Sequence, residues 1–126
     1  MGHGSDFAEF QLHVPLLVRW PGKVAKEWAH ATSHYDIVPT LMRGALGIES
    51  DASDFSFGHD RFAERESPWL LCGSFDNFGI VESDRITVKY STGNYDVFAP
   101  DMTLLNEPLR VGVVNSVLQA VRRFYR

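Results

Sequence analysis

The pattern of apolar and polar positions divides the chain into a front part with one strand and one helix, and a back part with several short strands. In the front part, the run from Val14 to Trp20 is almost continuously apolar, which is typical of a strand covered on both faces. Pro21 and Gly22 follow it and mark a turn. The sequence therefore predicts a buried strand at 14–20.

A helix is predicted after this strand and its loop. Ser33 is a favourable N-cap, and Asp36 places a carboxylate in the first turn, where the helix dipole favours it. Apolar residues then recur at helical spacing as far as Leu46, and Gly47 suits a left-handed cap. The stretch 51–67 is polar, has few aliphatic side chains and is predicted to connect the two parts on the surface.

The back part has four short apolar runs separated by turn residues, which is typical of an antiparallel meander. After them, Asn106 is a candidate N-cap and Pro108 suits the first turn of a helix. Apolar residues repeat at every fourth position from Leu109 to Tyr125, so we expect this helix to lie across the sheet. The four predicted strands are Trp69 to Phe75, Phe78 to Glu82, Arg85 to Tyr90 and Tyr95 to Phe98.

This order of elements predicts an α/β fold class, or α+β when the chain is considered as an isolated piece. The prediction places one core strand and one helix in 1–50 and a surface connection in 51–68. A small antiparallel sheet, packed on a C-terminal helix, occupies 69–126. We expect all three segments to form one structural unit, because 126 residues fit a single domain.

Composition and charge narrow the function classes only slightly. Hydrophobic residues make up 44% of the chain and charged residues 22%, which excludes a disordered or collagen-like protein. The net charge is −4 with both signs interspersed, so nucleic acid is not an expected partner. The apolar runs are too short to span a membrane, and the single cysteine, Cys72, lies in an apolar run and is expected to be a buried thiol.

Residue spacing alone identifies no catalytic site. His30 and His34 have the separation of a metal-ligand pair, but they lack the glutamate of a zinc-protease motif and begin before the predicted N-cap. His59 and Asp60 follow a glycine in a polar loop, where a turn held by hydrogen bonds is the simpler interpretation. No serine, nor the cysteine, lies in a nucleophile motif. Composition and periodicity therefore support no enzyme.

Several short stretches nevertheless occur in an order and spacing that resemble the C-terminal third of sulfatases, which belong to the alkaline phosphatase superfamily. The resemblance extends from Gly2 to about Gly93, and within the superfamily it points to the sulfatase-like inner-membrane proteins of Gram-negative bacteria. The matching stretches are His3-Gly4, Val14 to Gly22, Thr32 to Met42, Leu46 to Ile48 and Phe57 to Phe62.

This resemblance implies the C-terminal portion of an alkaline phosphatase-like fold. Such hydrolases cleave sulfuric or phosphoric esters with a Cys, Ser or Thr nucleophile and with aspartates and an Asp-His pair that hold a divalent metal. The segments that carry those residues are absent from this sequence. The chain is therefore expected to be a fragment that is inactive alone and has no cofactor of its own, whereas an intact catalytic parent would use Mg, Mn, Ca or Zn.

One residue of this chain is placed in the active site by the same resemblance. His3 matches a position at which a histidine or lysine points toward the sulfate or phosphate group. An imidazole there could stabilise charge that develops on the sulfuryl or phosphoryl oxygens. The alternative is that His3 belongs to a frayed chain terminus. His3 is thus the expected catalytic residue, and no metal ligand is expected.

The resemblance also implies a location, partners and an alternative function. The inner-membrane proteins it points to combine membrane helices with a periplasmic hydrolase-like domain linked to lipopolysaccharide and cardiolipin control. The alternative is therefore a non-catalytic lipid-binding or regulatory domain. Expected partners are the remainder of the parent, a lipid surface reached through it, and a second copy covering 14–20. Arg122, Arg123 and Arg126 could contact anionic headgroups, although the helix dipole also favours basic residues there.

Overall fold

A computed structural model describes residues 7–63 and 67–124 of the chain. These ranges contain a five-stranded antiparallel sheet and α-helices, so the predicted mixed fold class is confirmed. The helices are α1 (Glu9–Leu12), α2 (Ile37–Leu46) and α3 (Val111–Arg122), and single 3₁₀ turns lie at His34–Asp36, Ala52–Asp54 and Arg61–Ala63. The strands are β1 (Leu70–Ser74), β2 (Asn77–Val81), β3 (Ile86–Lys89), β4 (Tyr95–Phe98) and β5 (Leu104–Leu105).

The predicted caps are present at the 3₁₀ turn His34–Asp36, which runs directly into α2, and at the end of α2. The Ser33 hydroxyl accepts a hydrogen bond from the Tyr35 amide, and the Asp36 carboxylate accepts one from the Ser33 amide, which completes a capping box. At the other end, Gly47 has a φ of 66°, and its amide donates to the Arg43 carbonyl. Glycine suits this position because other residues adopt such a left-handed conformation only at a cost.

The sheet is a meander in which each strand pairs with the next along the chain, in the order β1-β2-β3-β4-β5. The four predicted strands are present within one or two residues of their expected bounds. A fifth strand, β5, was not predicted, because its two residues are too few to show an alternating pattern. It pairs with β4 through Phe98 opposite Leu104 and Val97 opposite Leu105.

Both faces of the sheet carry buried side chains. On one face, Ile86 and Val88 pack with Phe7, which lies ahead of α1. A Cβ atom at Gly79 would lie 2.7 Å from the Phe7 ring, so glycine lets that ring approach the sheet. The neighbouring residues on β2 and β4, Ile80 and Val97, point to the other face and are also buried.

The predicted strand at 14–20 is wrong. This segment lies between α1 and the turn at Pro21-Gly22 and pairs with no strand in the described parts of the chain. Its apolar side chains are exposed on both sides, and Leu17 is 98% exposed. A strand needs a neighbour to pair its backbone amides and carbonyls, so apolar character alone does not produce one.

The start of the last helix also differs from the prediction. Helix α3 begins at Val111, and Arg110, with ψ at 85°, is the residue before it, so Asn106 does not cap the helix. Glu107 and Arg110 instead form ion pairs with the hairpin between β2 and β3, which keeps this stretch out of the helix. The predicted apolar stripe is present nonetheless, and Val117, only 1% exposed, lies at its centre.

Candidate functional site

The expected catalytic residue, His3, lies outside the described residues. The two histidines with metal-type spacing do not form a ligand set in the described ranges, where no group of three or more His, Cys, Asp or Glu is positioned to hold a metal ion. His30 packs edge-on against the Trp28 ring, with ring centres 5.5 Å apart. His34 is exposed in the 3₁₀ turn ahead of α2.

A cluster of hydrogen-bonded polar groups surrounds the carboxylate of Asp36, directly before α2. Asp36 is only 3% exposed. Its Oδ1 accepts a hydrogen bond from the His59 amide at 2.8 Å, and its Oδ2 accepts one from the Ser33 amide at 2.8 Å. The Arg61 guanidinium lies 3.3 Å from Oδ2 and forms an ion pair with it. We call Ser33, Asp36, Thr40, Ser56, Gly58, His59 and Arg61 the Asp36 cluster.

Further contacts attach the loop at 56–61 to the start of α2. The Thr40 hydroxyl donates to the Asp36 carbonyl at 2.6 Å and accepts from the Arg61 amide at 3.0 Å. The Ser56 hydroxyl donates to the Tyr35 carbonyl at 2.6 Å and accepts from the Gly58 amide at 3.0 Å. Each hydroxyl thus both donates and accepts, bridging the loop and the helix.

Gly58 lets the loop and helix backbones come into direct contact. A Cβ atom at this position would overlap the carbonyl of Tyr35 and the amide of Asp36. Aromatic contacts add to this attachment of the loop. The Phe57 ring lies edge-on to the Tyr35 ring, with ring centres 5.1 Å apart. It also lies edge-on to the ring of Phe124, which follows α3, with ring centres 4.5 Å apart. The loop therefore joins the start of α2 to the end of the last helix.

These hydrogen bonds determine what the cluster can do chemically. The Asp36 carboxylate is buried, and both of its oxygens already accept hydrogen bonds from protein donors, three in all. The Ser56 hydroxyl donates its proton to the Tyr35 carbonyl, so that proton is already used in a structural hydrogen bond. The prediction of a loop held by hydrogen bonds near His59 is therefore confirmed.

A shallow depression of about 760 Å³ lies beside the Asp36 cluster. Its walls mix both charge signs, with Arg43 and Arg123 facing the same space as Glu49 and Asp60, and aromatic rings such as Trp69 complete them. Positive and negative side chains in one depression do not select an anion or a cation. The depression therefore identifies no ligand class.

A second charged network fixes the approach to α3. Both terminal guanidinium nitrogens of Arg110 donate to the Asp84 carboxylate, Nη1 at 2.9 Å and Nη2 at 2.7 Å, and Nη1 also donates to Glu82 at 2.9 Å. Arg85 pairs with Glu107. The Arg110 hydrogen bonds hold the pKa of the Asp84 carboxyl below its ordinary value, and the same contacts raise the pKa of Arg110. The sequence gives no sign of this network, because its paired residues are 22 to 28 positions apart.

The remaining candidates are single side chains. Cys72 lies in β1, half-buried, and burial raises the pKa of its thiol. Arg122 and Arg123 are exposed at the end of α3, whereas Arg126 lies outside the described residues. Contact of these arginines with anionic headgroups stays a prediction, as does their stabilisation by the helix dipole.

No protein-family model matches the chain. The chain is similar to the inner membrane protein YejM. Against YejM of Salmonella typhimurium and YejM of Salmonella typhi, it is 29% identical over 94 residues. Those residues make up 74% of this chain and 16% of YejM, so the chain spans about one sixth of the length of these curated relatives.

Similarity to YejM confirms the resemblance to a sulfatase-like inner-membrane protein that the sequence motifs predict. YejM is an inner membrane protein by name. In residues 7–63 and 67–124 of this chain, by contrast, we find no helix with the length and apolar character needed to cross a bilayer.

Proposed function

We propose that this chain forms the C-terminal part of a sulfatase-like domain in an inner-membrane protein of the YejM type, on the periplasmic side of the membrane. In this role it completes the fold of the domain and carries no turnover by itself. The observation that carries the proposal is the Asp36 cluster. Its buried carboxylate and hydroxyl groups are all used to hold the loop at 56–61 against α2.

The sequence also favours a structural role for this chain, with the catalytic residues in the rest of a longer protein. The segments that carry the nucleophile and the metal-binding aspartates of such hydrolases have no counterpart in these 126 residues. A divalent metal and the nucleophile would then belong to the rest of a longer protein. His3 is the residue of this chain that the resemblance brings nearest to the reacting ester.

Hydrolysis assays test whether the chain is inactive alone. The purified chain is incubated with a chromogenic sulfate monoester and a chromogenic phosphate diester, with and without Mg²⁺, Mn²⁺ or Zn²⁺. We expect rates equal to those of the metal blanks, for the wild type and for His3→Ala alike. Metal-dependent hydrolysis that His3→Ala abolishes would overturn the proposal and make His3 a catalytic residue.

A chimera tests the positive part of the proposal. The matched region of YejM is replaced with this chain, and the abundance and protease resistance of the membrane-bound chimera are compared with those of YejM. We expect a stable chimera that Asp36→Ala destabilises, because the Asp36 cluster holds the domain together. Asp54→Asn, at an exposed carboxylate, is the matched control. Rapid degradation of the unmutated chimera would contradict the proposed role.

A lipid-binding role is the second candidate function, and the end of α3 favours it. Arg122 and Arg123 are exposed there next to the partly exposed Phe124, which places two cations beside an aromatic ring. Co-sedimentation with anionic and with zwitterionic vesicles tests this role. Binding to anionic vesicles alone, lost in the double variant Arg122→Ala and Arg123→Ala, would favour it over a purely structural part.

A further inference from the structure

Ion pairs attach the start of helix α3 to the sheet. The Arg110 guanidinium donates to the carboxylates of Glu82 and Asp84, and Arg85 pairs with Glu107 in the same network. The side chains of Glu82 and Arg85 are only 8% and 10% exposed, so the inner members of the network are shielded from water. The network therefore fixes the start of α3 to the β2–β3 hairpin.

The end of α3 is attached more weakly than its start. Val117, which is 1% exposed, is the buried residue of α3. After it, none of the residues from Leu118 to Phe124 is buried, and we call this stretch the terminal segment. Its contact with the loop at 56–61 is the edge-on packing of the Phe124 ring against the Phe57 ring. The terminal segment is thus held mainly by an aromatic contact.

Hydrogen bonds hold the loop on the other side of that aromatic contact. The Ser56 hydroxyl donates to the Tyr35 carbonyl and accepts from the Gly58 amide, so the residues on both sides of Phe57 are tied down. The Gly58 backbone also lies directly against the backbone of Tyr35 and Asp36. Loss of the ring contact would therefore release the terminal segment of α3 rather than the loop.

A side-chain hydrogen bond marks a point at which α3 can bend. The Ser116 hydroxyl donates to the Val113 carbonyl at 2.7 Å, and this is the oxygen to which an α-helix directs the amide of Val117. Serine hydroxyls that bond back to the preceding turn compete with the backbone and often bend helices. Since Ser116 directly precedes Val117, the bend point coincides with the boundary between the attached half and the terminal segment.

The terminal segment forms one wall of the depression beside the Asp36 cluster. Ala120, Arg123 and Phe124 line this depression, together with Phe57 and other residues of the loop. All of the lining residues that α3 and its end contribute therefore follow the bend point at Ser116. Movement of the terminal segment away from the loop would widen the depression.

We propose that α3 bends at Ser116 and that its terminal segment swings away from Phe57, which opens the depression, while the first half of the helix stays attached to the β2–β3 hairpin. The contact between Phe57 and Phe124 holds the depression closed. The swing keeps the hydrogen bonds of the helix, which distinguishes it from unwinding of the last turn. Collective movements of this kind occur on the microsecond to millisecond timescale.

Distances between two spin labels in the full chain test this swing. The labels are attached at Asp54→Cys and Gln119→Cys, two exposed positions that do not line the depression, in a chain that also carries Cys72→Ser. We expect pulsed electron paramagnetic resonance to show a shorter and a longer distance. Phe57→Ala should raise the ratio of the longer to the shorter distance by about threefold to tenfold, because an edge-to-face aromatic pair contributes a factor of that order.

Ser116→Ala should change the same ratio in the opposite direction. Alanine has no hydroxyl to bond to the Val113 carbonyl and is the best helix former, so the bend becomes less favourable and the ratio should fall. Because Ser116 is exposed, this variant tests the proposal even if Phe57→Ala does not fold. Phe75→Ala removes a 96% exposed ring between β1 and β2, and this matched control should leave the ratio unchanged.

A second label pair, at Asp54→Cys and Asn115→Cys, reports on the attached half of α3 and should show a single distance in every variant. A ratio that neither Phe57→Ala nor Ser116→Ala changes would overturn the proposal. Equal changes in both label pairs would overturn it as well, because the whole helix would then move. Loss of helical circular dichroism in Phe57→Ala, in step with the longer distance, would mean that the terminal segment unwinds instead of swinging.

Discussion

The carboxylate of Asp36 and the guanidinium of Arg61 form a buried ion pair, with Oδ2 and Nη1 3.3 Å apart across 25 residues of sequence. The pair joins the first turn of α2 to the loop that follows it. Since the same carboxylate also accepts two backbone amides, a single side chain holds the helix cap and the loop together.

Removal of the Asp36 carboxylate should lower the free energy of unfolding more than a substitution at an exposed carboxylate does. Asp36→Ala leaves Arg61 buried without its partner and frees two backbone amides, and loss of one member of a buried ion pair costs about 3–5 kcal/mol. We expect the free energy of unfolding of Asp36→Ala, measured in urea, to be about 3–5 kcal/mol lower than that of the wild type. Asp54→Asn serves as the control at an exposed carboxylate and should change it little. Equal effects of the two substitutions would contradict the central role of Asp36.

Gly58→Ala should destabilise the fold through direct backbone overlap. The added Cβ meets the Tyr35 carbonyl and the Asp36 amide, neither of which can rotate away, and overpacking of this kind costs about 1–3 kcal/mol or more. Gly73→Ala is the matched control, because a Cβ there has no atom within 4 Å. Thermal unfolding of both variants checks the prediction. An unchanged melting temperature for Gly58→Ala would mean that the loop and helix separate easily.

The Asp84 carboxyl should make stability fall in acid. Its pKa is lower in the folded state because Arg110 donates hydrogen bonds to it, so its contribution is fully present above the unfolded value of about 3.9. That contribution is lost as the pH falls through the lowered folded value. Arg110→Gln should raise the Asp84 pKa, as followed by NMR, and make the acid dependence shallower.

Arg43→Gln provides the control for the Arg110 substitution, since Arg43 is an exposed arginine remote in sequence from the β2–β3 hairpin. It should leave the Asp84 titration unchanged. An Asp84 pKa that is the same in the wild type and in Arg110→Gln would show that the hydrogen bonds from Arg110 do not hold it down.

Cys72 should react slowly with thiol reagents while the chain is folded. Burial raises the pKa of its thiol, which leaves little thiolate at neutral pH, and the surrounding strand limits access. We expect labelling by a chromogenic disulfide at neutral pH to be much slower than that of glutathione and to become fast in denaturant. Labelling at the glutathione rate in the native chain would place the thiol at the surface.

The elements whose start, apolar pattern and end all lie within a short stretch of sequence were predicted correctly. The Ser33 capping box, the apolar stripe of α2 and its stop at Gly47 lie within 15 consecutive residues, and all three are present. In the hairpins of the sheet, turn residues separate short apolar strands, and these turn residues also act over only a few positions of the chain. Short-range hydrogen bonds and backbone preferences decide such elements, so the sequence contains what is needed to predict them.

The cluster around Asp36 could be anticipated only in part. The capping box places Asp36 at the start of a helix, and the glycine before His59 and Asp60 indicates a turn held by hydrogen bonds. Neither signal shows that the two meet, because their contact spans more than 20 residues. Arg61 in particular gives no sign of its partner in the sequence.

By itself, the sequence determined the mixed fold class, the capped helix α2, the meander and the resemblance that similarity to YejM confirms. Only the tertiary structure decided that the apolar segment 14–20 is not a strand, that β5 adds a fifth strand at the edge of the sheet and that α3 starts at Val111. The physical reason is the same in each case. Strand pairing and ion pairs depend on which distant groups are close enough to bond, and that is a property of the folded chain.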